Sequence, residues 1–302
     1  IDHAGMAGVV TLSGPIDVDG QRLDAAGVRE FVLRDQYITY GDDNDDRLRV
    51  LEELTETAFD QLVGANLPSP TTIVDTFQPL VAGHHVRVVS FDNTEDVALQ
   101  RADVSDAFPL SAGQDLVGVV TQNLGENKID IFLQRDITYE AVVEPDSGVV
   151  QSRMRISLAN SAPAEGLPQA IIGNNDQGLP IGTNRIRVQL YSPLQVVTAT
   201  LDGLDTELTL QEELGWNRYV VDLWLDPGQT EVLELDLVGV VDVSDGYVLE
   251  VEHQPLANPD TVQLAVTVGG QDELGASTGL DASGRATVTL DADQVVGELF
   301  DE

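Results

Sequence analysis

The chain has 302 residues, and its 52 acidic residues against 15 basic ones give a formal net charge of −37. Nucleic acids and anionic membrane surfaces would repel such a chain, so both are excluded as partners. Dissolved ions relieve the self-repulsion, because the Debye length falls to about 3 Å at 1 M salt. The charge therefore predicts a halophilic protein of a saline or ion-rich medium.

Apolar residues make up 42% of the chain, and cysteine is absent. The apolar fraction predicts folded cores. The absence of cysteine excludes disulfides, thiolate metal sites and cysteine nucleophiles. No apolar run reaches the roughly 20 residues of a membrane-spanning helix, so we expect no direct membrane insertion by this chain. Because the chain begins at Ile1 without an initiator methionine, we expect it to derive from a trimmed or cleaved precursor.

The first third has the pattern of a mixed α/β segment. Asp24 is a suitable N-cap for a helix, and leucines recur at three- and four-residue spacing from Leu48 until Gly64. The predicted elements, in chain order, are the strands Val9–Leu12 and Ile16–Val18, the helices Ala25–Arg34, Leu48–Val63 and Ser69–Leu80, the strand His85–Phe91 and the helix Thr94–Ala102.

From about Asp106 onward the pattern changes to strands, most clearly at Val150–Leu158, where apolar and polar residues alternate strictly. Gly125-Glu126-Asn127 predicts a hairpin between the first two strands. The predicted strands are Leu116–Gln122, Ile129–Val143, Val150–Leu158, Arg185–Tyr191, Gln195–Leu201, Tyr219–Leu225, Glu231–Val238, Tyr247–His253 and Thr261–Val268, with a last hairpin over Gly275–Leu290. This spacing is typical of an antiparallel β-sandwich.

Together these patterns predict the α+β fold class. An N-terminal α/β segment (1–105) is followed by a β-rich extension (106–183) and an antiparallel, immunoglobulin-like (Ig-like) β-sandwich (184–302).

Several short motifs resemble a known family. They are Asp2-His3-Ala4, Leu12–Gly20, Phe31–Asp35, Asp46-Arg47, Asn127–Asp130 with Arg135, Asn160–Pro163, Gly182–Arg185 and Gln254–Asp260. Over nearly the whole chain up to about Val268, this pattern is similar to the later part of an uncharacterised cell-envelope family, domain of unknown function 4012. The resemblance implies that residues 1–105 are similar to the second half of the LytR-CpsA-Psr phosphotransferases.

Those phosphotransferases hold a polyprenyl pyrophosphate with arginines and with a metal bound by aspartates. Arg34 and Arg47 occupy positions like two of those arginines, and the planar guanidinium suits phosphate oxygens. The helix start departs from the family's pattern at Arg49 and at Val50–Glu53. The half that would carry the metal-binding aspartates lies outside these residues. The resemblance therefore implies a phosphate-binding remnant at Arg34 and Arg47, without a complete catalytic site.

The densest acidic cluster comprises Asp42, Asp43, Asp45 and Asp46. Two interpretations stay open. The carboxylates supply oxygen ligands for Ca²⁺ or Mg²⁺, or they form the acidic N-terminus of a helix and interact with its dipole. No other cofactor is expected.

Other reactive or aromatic side chains give weaker signals. The histidines His3, His84, His85 and His253 are expected to be structural, since neighbours on a strand point to opposite faces. Tyr219 and Trp224 are five positions apart on one predicted strand, so they point to opposite faces and at most one of them can lie in a core. Two interpretations stay open for Trp216, Tyr219 and Trp224: they pack in a core or at an edge, or they stack on a sugar.

Two functions are compatible with these features. The first is a non-enzymatic, extracellular or cell-surface structural and interaction protein. Its expected partner is a second copy or the upstream fragment of the same precursor, pairing with a strand edge at Val9–Val18. The alternative is a phosphotransferase-like remnant that binds a pyrophosphate-linked lipid or glycan through Arg34 and Arg47.

Overall fold

The computed structural model describes residues 1–41, 43–64, 68–92, 94, 95, 97, 99, 113–173, 178–244, 246–252, 254–268, 286–291 and 294–296, the last two ranges as backbone. A helical N-terminal part is followed by two large β-sheets, which confirms the mixed α and β character and the order of its parts. No helix among these residues is both long enough and apolar enough to span a bilayer.

The helices are α1 (His3–Ser13), α2 (Ala25–Glu30), α3 (Gln36–Tyr40), α4 (Asn44–Gly64), α5 (Pro70–Ala82) and α6 (Gln169–Ile172). A π-helical turn over Phe31–Asp35 connects α2 to α3. The predicted N-cap Asp24 is confirmed, because it accepts a hydrogen bond from the Gly27 N–H (2.8 Å). Ser69 caps α5 by accepting a hydrogen bond from the Thr72 N–H (3.2 Å).

The predicted strand Val9–Leu12 is wrong, since these residues lie in α1. Asp2 caps that helix by accepting hydrogen bonds from the Ala4 and Gly5 N–H groups (2.9 and 3.1 Å). Val9 is 2% exposed and lies in the core of the helical part, so packing outweighs its β-propensity. At Gly8 an added Cβ would lie 2.3 Å from Leu80 Cδ1, so α1 and α5 approach closely there.

Two further predictions in this part need correction. Ile16–Val18 is strand β1, but it pairs with β2 (Gln21–Leu23) in its own hairpin, so Val9–Val18 is no single strand awaiting an upstream partner. The predicted strand His85–Phe91 has no strand structure. There, the His85 and Val86 N–H groups both donate to the Leu80 carbonyl and close the end of α5. Thr94, Glu95, Val97 and Leu99 are helical, and the rest of Thr94–Ala102 lies outside the described residues.

The strands of the second part are β3 (Asp115–Asn123), β4 (Leu133–Glu144), β5 (Val149–Asn160), β6 (Asn184–Ser192), β7 (Gln195–Leu201), β8 (Leu204–Asp205), β9 (Thr209–Glu213), β10 (Trp216–Leu225), β11 (Thr230–Val240), β12 (Tyr247–Glu252), β13 (Thr261–Val268), β14 (Ala286–Asp291) and β15 (Gln294–Val296). Most of the strand predictions of this part are confirmed, although β8 and β9 were not predicted. Ile129–Phe132, predicted as the start of a strand, is a 3-10 turn before β4. Most of the predicted hairpin Gly275–Leu290 lies outside the described residues.

Within the described residues, one sheet has seven strands in the order β15-β14-β12-β3-β6-β10-β9, and the other has six in the order β13-β4-β5-β11-β7-β8. The predicted hairpin between β3 and β4 is wrong, because these strands lie in different sheets. Asn127 donates to the Gly173 carbonyl (2.5 Å), and the Lys128 N–H donates to the Ala170 carbonyl (3.0 Å). The connection is therefore tied to α6 and crosses between the sheets.

The all-antiparallel expectation also fails at two pairs, since β12 runs parallel to β3 and β13 runs parallel to β4. Strands from the predicted ranges 106–183 and 184–302 are neighbours in both sheets, as in β3 with β6 and β5 with β11.

The two sheets share one hydrophobic core. It includes Val119, Ile186 and Leu249 from the seven-stranded sheet, and Ile156 and Leu235 from the six-stranded sheet. Alternating burial along β4 and β5 directs every second side chain into this core.

The helical part has a separate core around Val9, Phe31 and Leu54. A third cluster joins the two parts of the chain. Tyr37 of α3 packs there with Ile129, Ala162, Ile171 and Ile172.

Candidate functional site

A polar pocket of about 560 Å³ lies where the helical part meets the sheet part, and we call it the junction pocket. Its lining residues are Tyr37, Gly41, Asn44, Arg47, Gly125, Glu126, Asn127, Lys128, Gln169 and Ala170. The first four come from α3, α4 and the bend between them. The others come from the loop after β3 and from α6.

Tyr37 fixes the geometry of the junction pocket. It lies in the short helix α3, which ends at Gly41 with a φ of 56°. Tyr37 is 8% exposed, and it packs with Ile129, Ile171 and Ile172 of the sheet part. The ring is therefore held by both parts of the chain.

Two cationic groups lie over the Tyr37 ring. The Arg47 guanidinium carbon is 5.0 Å from the ring centroid, and the Lys128 ammonium nitrogen is 5.9 Å from it. Both distances are in the range of cation–π attraction. The Arg47 Nη2 also donates a hydrogen bond to Asn44 Oδ1 (2.9 Å).

Neither Arg47 nor Lys128 has a described carboxylate within 4.0 Å of its charged group. This contrasts with most arginines of the described ranges. Ion pairs with carboxylates are formed by Arg22, Arg34, Arg49, Arg135, Arg153, Arg187 and Arg218. In a chain with an excess of acids, the junction pocket is thus a local concentration of unpaired positive charge.

The loop that presents Lys128 is well fixed on both sides of the residue. Asn127 Nδ2 donates to the Gly173 carbonyl, and Asn127 Oδ1 accepts from Asn123 Nδ2 (3.0 Å). The Ile129 side chain is fully buried. The backbone of Lys128 is therefore held in place, while its side chain reaches towards the ring of Tyr37.

Carboxylates near the pocket limit its positive charge. Glu126 belongs to the lining, and Asp130 lies close enough to Lys128 for the ammonium charge to act on it. Burial raises the pKa of Asp130, while the hydrogen bond from Asn184 and the charge of Lys128 lower it in part. Among the charged lining residues, two cations thus face one acid.

The two predicted phosphate-binding arginines have different surroundings. Arg47 lines the junction pocket. The Arg34 Nε donates to Asp35 Oδ1 (2.9 Å), and its Nη2 lies 3.4 Å from Glu30 Oε2. Arg34 is absent from the pocket lining, so the convergence of Arg34 and Arg47 on one cleft stays a prediction without support from these contacts.

The predicted metal-binding aspartates lie at the start of α4, except that Asp42 is outside the described residues. Asp43 Oδ1 accepts a hydrogen bond from the Asp46 N–H (3.1 Å), as an N-cap residue does. Asp45 is exposed, and the Asp46 carboxylate lies 3.4 Å from Arg49 Nε. Within the described ranges no three His, Asp or Glu side chains are grouped so that they could hold a metal. The Ca²⁺ or Mg²⁺ site stays a prediction, and capping and ion pairing account for the contacts observed.

Histidine contacts are structural where they are described. His85 Nδ1 lies 2.7 Å from Asp2 Oδ2 and so supports the residue that caps α1. The rings of His3 and His85 meet edge to face at 5.9 Å. His84 has a positive φ of 62°, and His253 lies outside the described residues.

The prediction that Tyr219 and Trp224 point to opposite faces of one strand is confirmed, since Tyr219 is 6% exposed and Trp224 is 49% exposed. Trp216 is fully buried, which removes it from any sugar-binding surface.

Sequence reasoning missed the importance of Tyr37 and Lys128 as a pair. The available signal was that Lys128 is the single lysine of the chain and lies inside one of the family-like motifs. The contact with Tyr37, 91 positions earlier in the printed sequence, leaves no trace in periodicity.

No protein-family model and no curated protein matches this chain. Among solved structures, it is similar to one described as a nutrient binding protein of Legionella pneumophila (TM-score 0.33, 7% identity, 50% of this chain and 54% of that one). It is also similar to an M1 zinc metallopeptidase of Deinococcus radiodurans (TM-score 0.30, 16% identity, 55% and 40%) and to the leukotriene A4 hydrolase of Saccharomyces cerevisiae (TM-score 0.31, 9% identity, 52% and 29%). The matches span about half or less of those chains, and at these scores they support no conclusion about fold family or function.

Proposed function

We propose that this chain is a non-enzymatic interaction module on the extracellular face of a cell envelope, and that it associates with a second copy of itself. The envelope location is supported by the family-like motifs and by the acidic composition. The two facing sheets are the basis for proposing an Ig-like sandwich as its architecture. The observation that carries the proposal is the shape of the solvent-facing side of the six-stranded sheet.

That side forms an open depression of about 760 Å³ that is lined by residues of β4, β5, β7, β11 and β13. We call it the sheet depression. Two valines are exposed in it, Val142 by 46% and Val197 by 63%. Between them, Arg153 Nε donates to Asp236 Oδ1 (3.0 Å). The two valines supply exposed apolar area, and the charged groups between them already pair with each other, so a partner surface could cover this region without leaving either charge unpaired.

A β-bulge explains why Val197 projects into this depression. Asp236 of β11 is opposite Thr198, whereas Leu237 is opposite Val196, so Val197 has no partner residue on β11. Bulges of this kind re-aim side chains and are retained as specific features of sheets.

The experiment is sedimentation equilibrium in 1 M KCl, where repulsion between copies is screened. We expect a concentration-dependent dimer that the double substitution Val142→Gln/Val197→Gln weakens about tenfold or more, because each valine that loses its burial costs about 1.5 kcal/mol. The matched control is Leu204→Gln, since Leu204 is 74% exposed on the same sheet but lies outside the depression. A monomer at all concentrations, or an equal effect of Leu204→Gln, would contradict the proposal.

The alternative function, binding of a pyrophosphate-linked lipid or glycan by a phosphotransferase-like remnant, is favoured by the position of Arg47 in the junction pocket. In that case Arg34 and Arg47 act together, and the acidic cluster requires a divalent metal to neutralise it. Calorimetric titration with a sugar pyrophosphate, with and without Mg²⁺, tests it. Heat that depends on Mg²⁺ and is lost in Arg47→Ala supports this function.

A further inference from the structure

The junction pocket has features that the proposed self-association does not use. Arg47 comes from α4 in the helical part, and Lys128 comes from the loop after β3 in the sheet part. Both cations lie over one buried tyrosine, and described carboxylates are more than 4.0 Å from their charged groups. In a chain of net charge −37, such cations would gain most by pairing with acids of their own chain, yet they face a solvent-accessible pocket.

The contacts that hold these cations leave donors available. Arg47 uses Nη2 for Asn44 Oδ1, so the rest of its guanidinium fork is free of hydrogen bonds within the described residues. The Lys128 ammonium nitrogen lies 5.9 Å from the centroid of the Tyr37 ring, and its three N–H donors form no hydrogen bond within the described residues. The Gln169 side chain also lines the pocket and makes no hydrogen bond to the described residues.

The charges of the lining indicate what the pocket can hold. With Arg47 and Lys128 against Glu126, the charged lining has a net positive balance. A guanidinium binds tetrahedral oxyanions through two parallel N–H···O bonds, and an ammonium adds a point charge from another side. A phosphate monoester carries a charge of about −1.5 to −2 at neutral pH, which matches two cations better than a single carboxylate does.

We propose that the junction pocket binds a phosphate monoester between Arg47 and Lys128, with the Gln169 amide as a further donor. The ester group points out of the open side of the pocket, so the phosphate is the recognised feature. This site uses Lys128 in place of Arg34, and it needs no metal. A bound phosphate also bridges the helical part and the sheet part, so occupancy stabilises their contact at Tyr37.

Isothermal titration calorimetry tests the site with phenyl phosphate as the probe, in 1 M KCl with a chelator to remove divalent ions. We expect saturable binding to the wild type. Arg47→Gln and Lys128→Met should each weaken it about tenfold or more, because a hydrogen bond to a charged group is lost. Lys128→Arg should retain most of the affinity, since the charge is kept. Arg34→Gln is the matched control and should leave binding unchanged, because Arg34 already pairs with Glu30 and Asp35.

The arms of the experiment separate the possible outcomes. Acetate binding as tightly as phenyl phosphate would overturn the choice of phosphate. A loss of binding in Arg34→Gln, or a requirement for Mg²⁺, would overturn this site in favour of the phosphotransferase-like alternative. Absence of binding by a wild type with a normal thermal unfolding transition would overturn the proposal outright. The sedimentation result for the sheet depression is independent of all these outcomes.

Discussion

Arg135 and Asp260 form an almost completely buried ion pair, with 1% and 4% of their side chains exposed. The Arg135 Nε lies 2.7 Å from Asp260 Oδ1, and Nη2 contacts Oδ2 in a parallel, bidentate arrangement. The remaining Nη1 donates to Thr121 and Gln254 (3.0 Å each). Because Arg135 lies on β4, Thr121 on β3 and Asp260 immediately before β13, this network joins the two sheets and positions the parallel pair of β4 and β13.

We expect Arg135→Met or Asp260→Leu to lower the free energy of unfolding by about 3–5 kcal/mol, because each change leaves its partner without its counter-charge in the interior. Urea denaturation in 1 M KCl measures the loss. Replacing both residues together, as Arg135→Met/Asp260→Leu, should be less harmful than the sum of the single changes, since no buried charge remains.

The matched control is the exposed pair of Arg22 and Asp17, whose side chains are 64% and 69% exposed. Solvent screens this pair, so Arg22→Met should change the free energy of unfolding by less than about 1 kcal/mol. Similar losses in the two pairs would show that burial is not what makes the Arg135 pair important.

The strands around this network differ in how far the sequence could predict them. Strict alternation located β5 correctly, because Met154, Ile156 and Leu158 need only local periodicity to mark a buried face. The parallel pairing of β13 with β4 could not be predicted in that way. It depends on contacts such as that of Arg135 with Asp260, 125 residues apart.

The first part contains one wrong strand prediction and one acidic cluster whose metal binding stays a prediction. Val9 and Val10 have high β-propensity, but the capping of α1 by Asp2 and burial in the helical core outweigh it. The acidic residues at the start of α4 were seen as a group, whereas their contacts are set singly, for example by Arg49 with Asp46. In the candidate site, Arg47 was identified through family resemblance. Lys128 lies in one of the motifs of that resemblance, but its contact with Tyr37 could not be predicted, because only the fold brings the two residues together.

Asp115 gives a prediction of pH dependence. Its carboxylate is fully buried and accepts hydrogen bonds from the hydroxyls of Tyr139 (2.6 Å) and Tyr247 (2.5 Å) and from the Leu116 N–H (2.8 Å). Burial raises the pKa of Asp115, and these hydrogen bonds lower it only in part. The folded state therefore binds this proton more tightly than the unfolded state does.

The sign of the effect follows from proton linkage. As pH rises above the unfolded-state value of about 3.9, the contribution of Asp115 to the free energy of unfolding should fall, until its folded-state pKa is passed. Asp115→Asn has no such titration and keeps the size of the side chain. The stability of wild type minus that of Asp115→Asn, measured by urea denaturation from pH 4 to 7, should decrease with pH. An increase would mean that the two tyrosine hydroxyls stabilise the ionised carboxylate enough to lower its pKa.

Gly148 should be among the least replaceable glycines. Its φ is 68°, and an added Cβ would lie 2.1 Å from the carbonyl oxygen of Val241, whose N–H donates a hydrogen bond to the Gly148 carbonyl (2.9 Å). Gly203 is the control, because its φ of 77° is similar but nothing lies within 4 Å of the added Cβ. Gly203→Ala should cost about 1 kcal/mol for the left-handed backbone, and Gly148→Ala about 2 kcal/mol more for the clash. Equal losses in thermal or urea unfolding would contradict the close approach at Val241.

The acidic composition predicts that salt stabilises the folded chain. At pH 7 the net charge of −37 leaves most acidic side chains without a basic partner, so screening should raise the melting temperature markedly between low salt and about 1 M KCl or NaCl. The sequence pI is about 4.1, so near pH 4.5 much of this charge is neutralised by protonation. The gain from salt should therefore be large at pH 7 and small at pH 4.5, as measured by calorimetry in matched buffers.

A melting temperature that does not change with salt at pH 7 would show that repulsion does not limit stability. An equal gain at both pH values would instead assign the effect of salt to the strengthening of hydrophobic contacts.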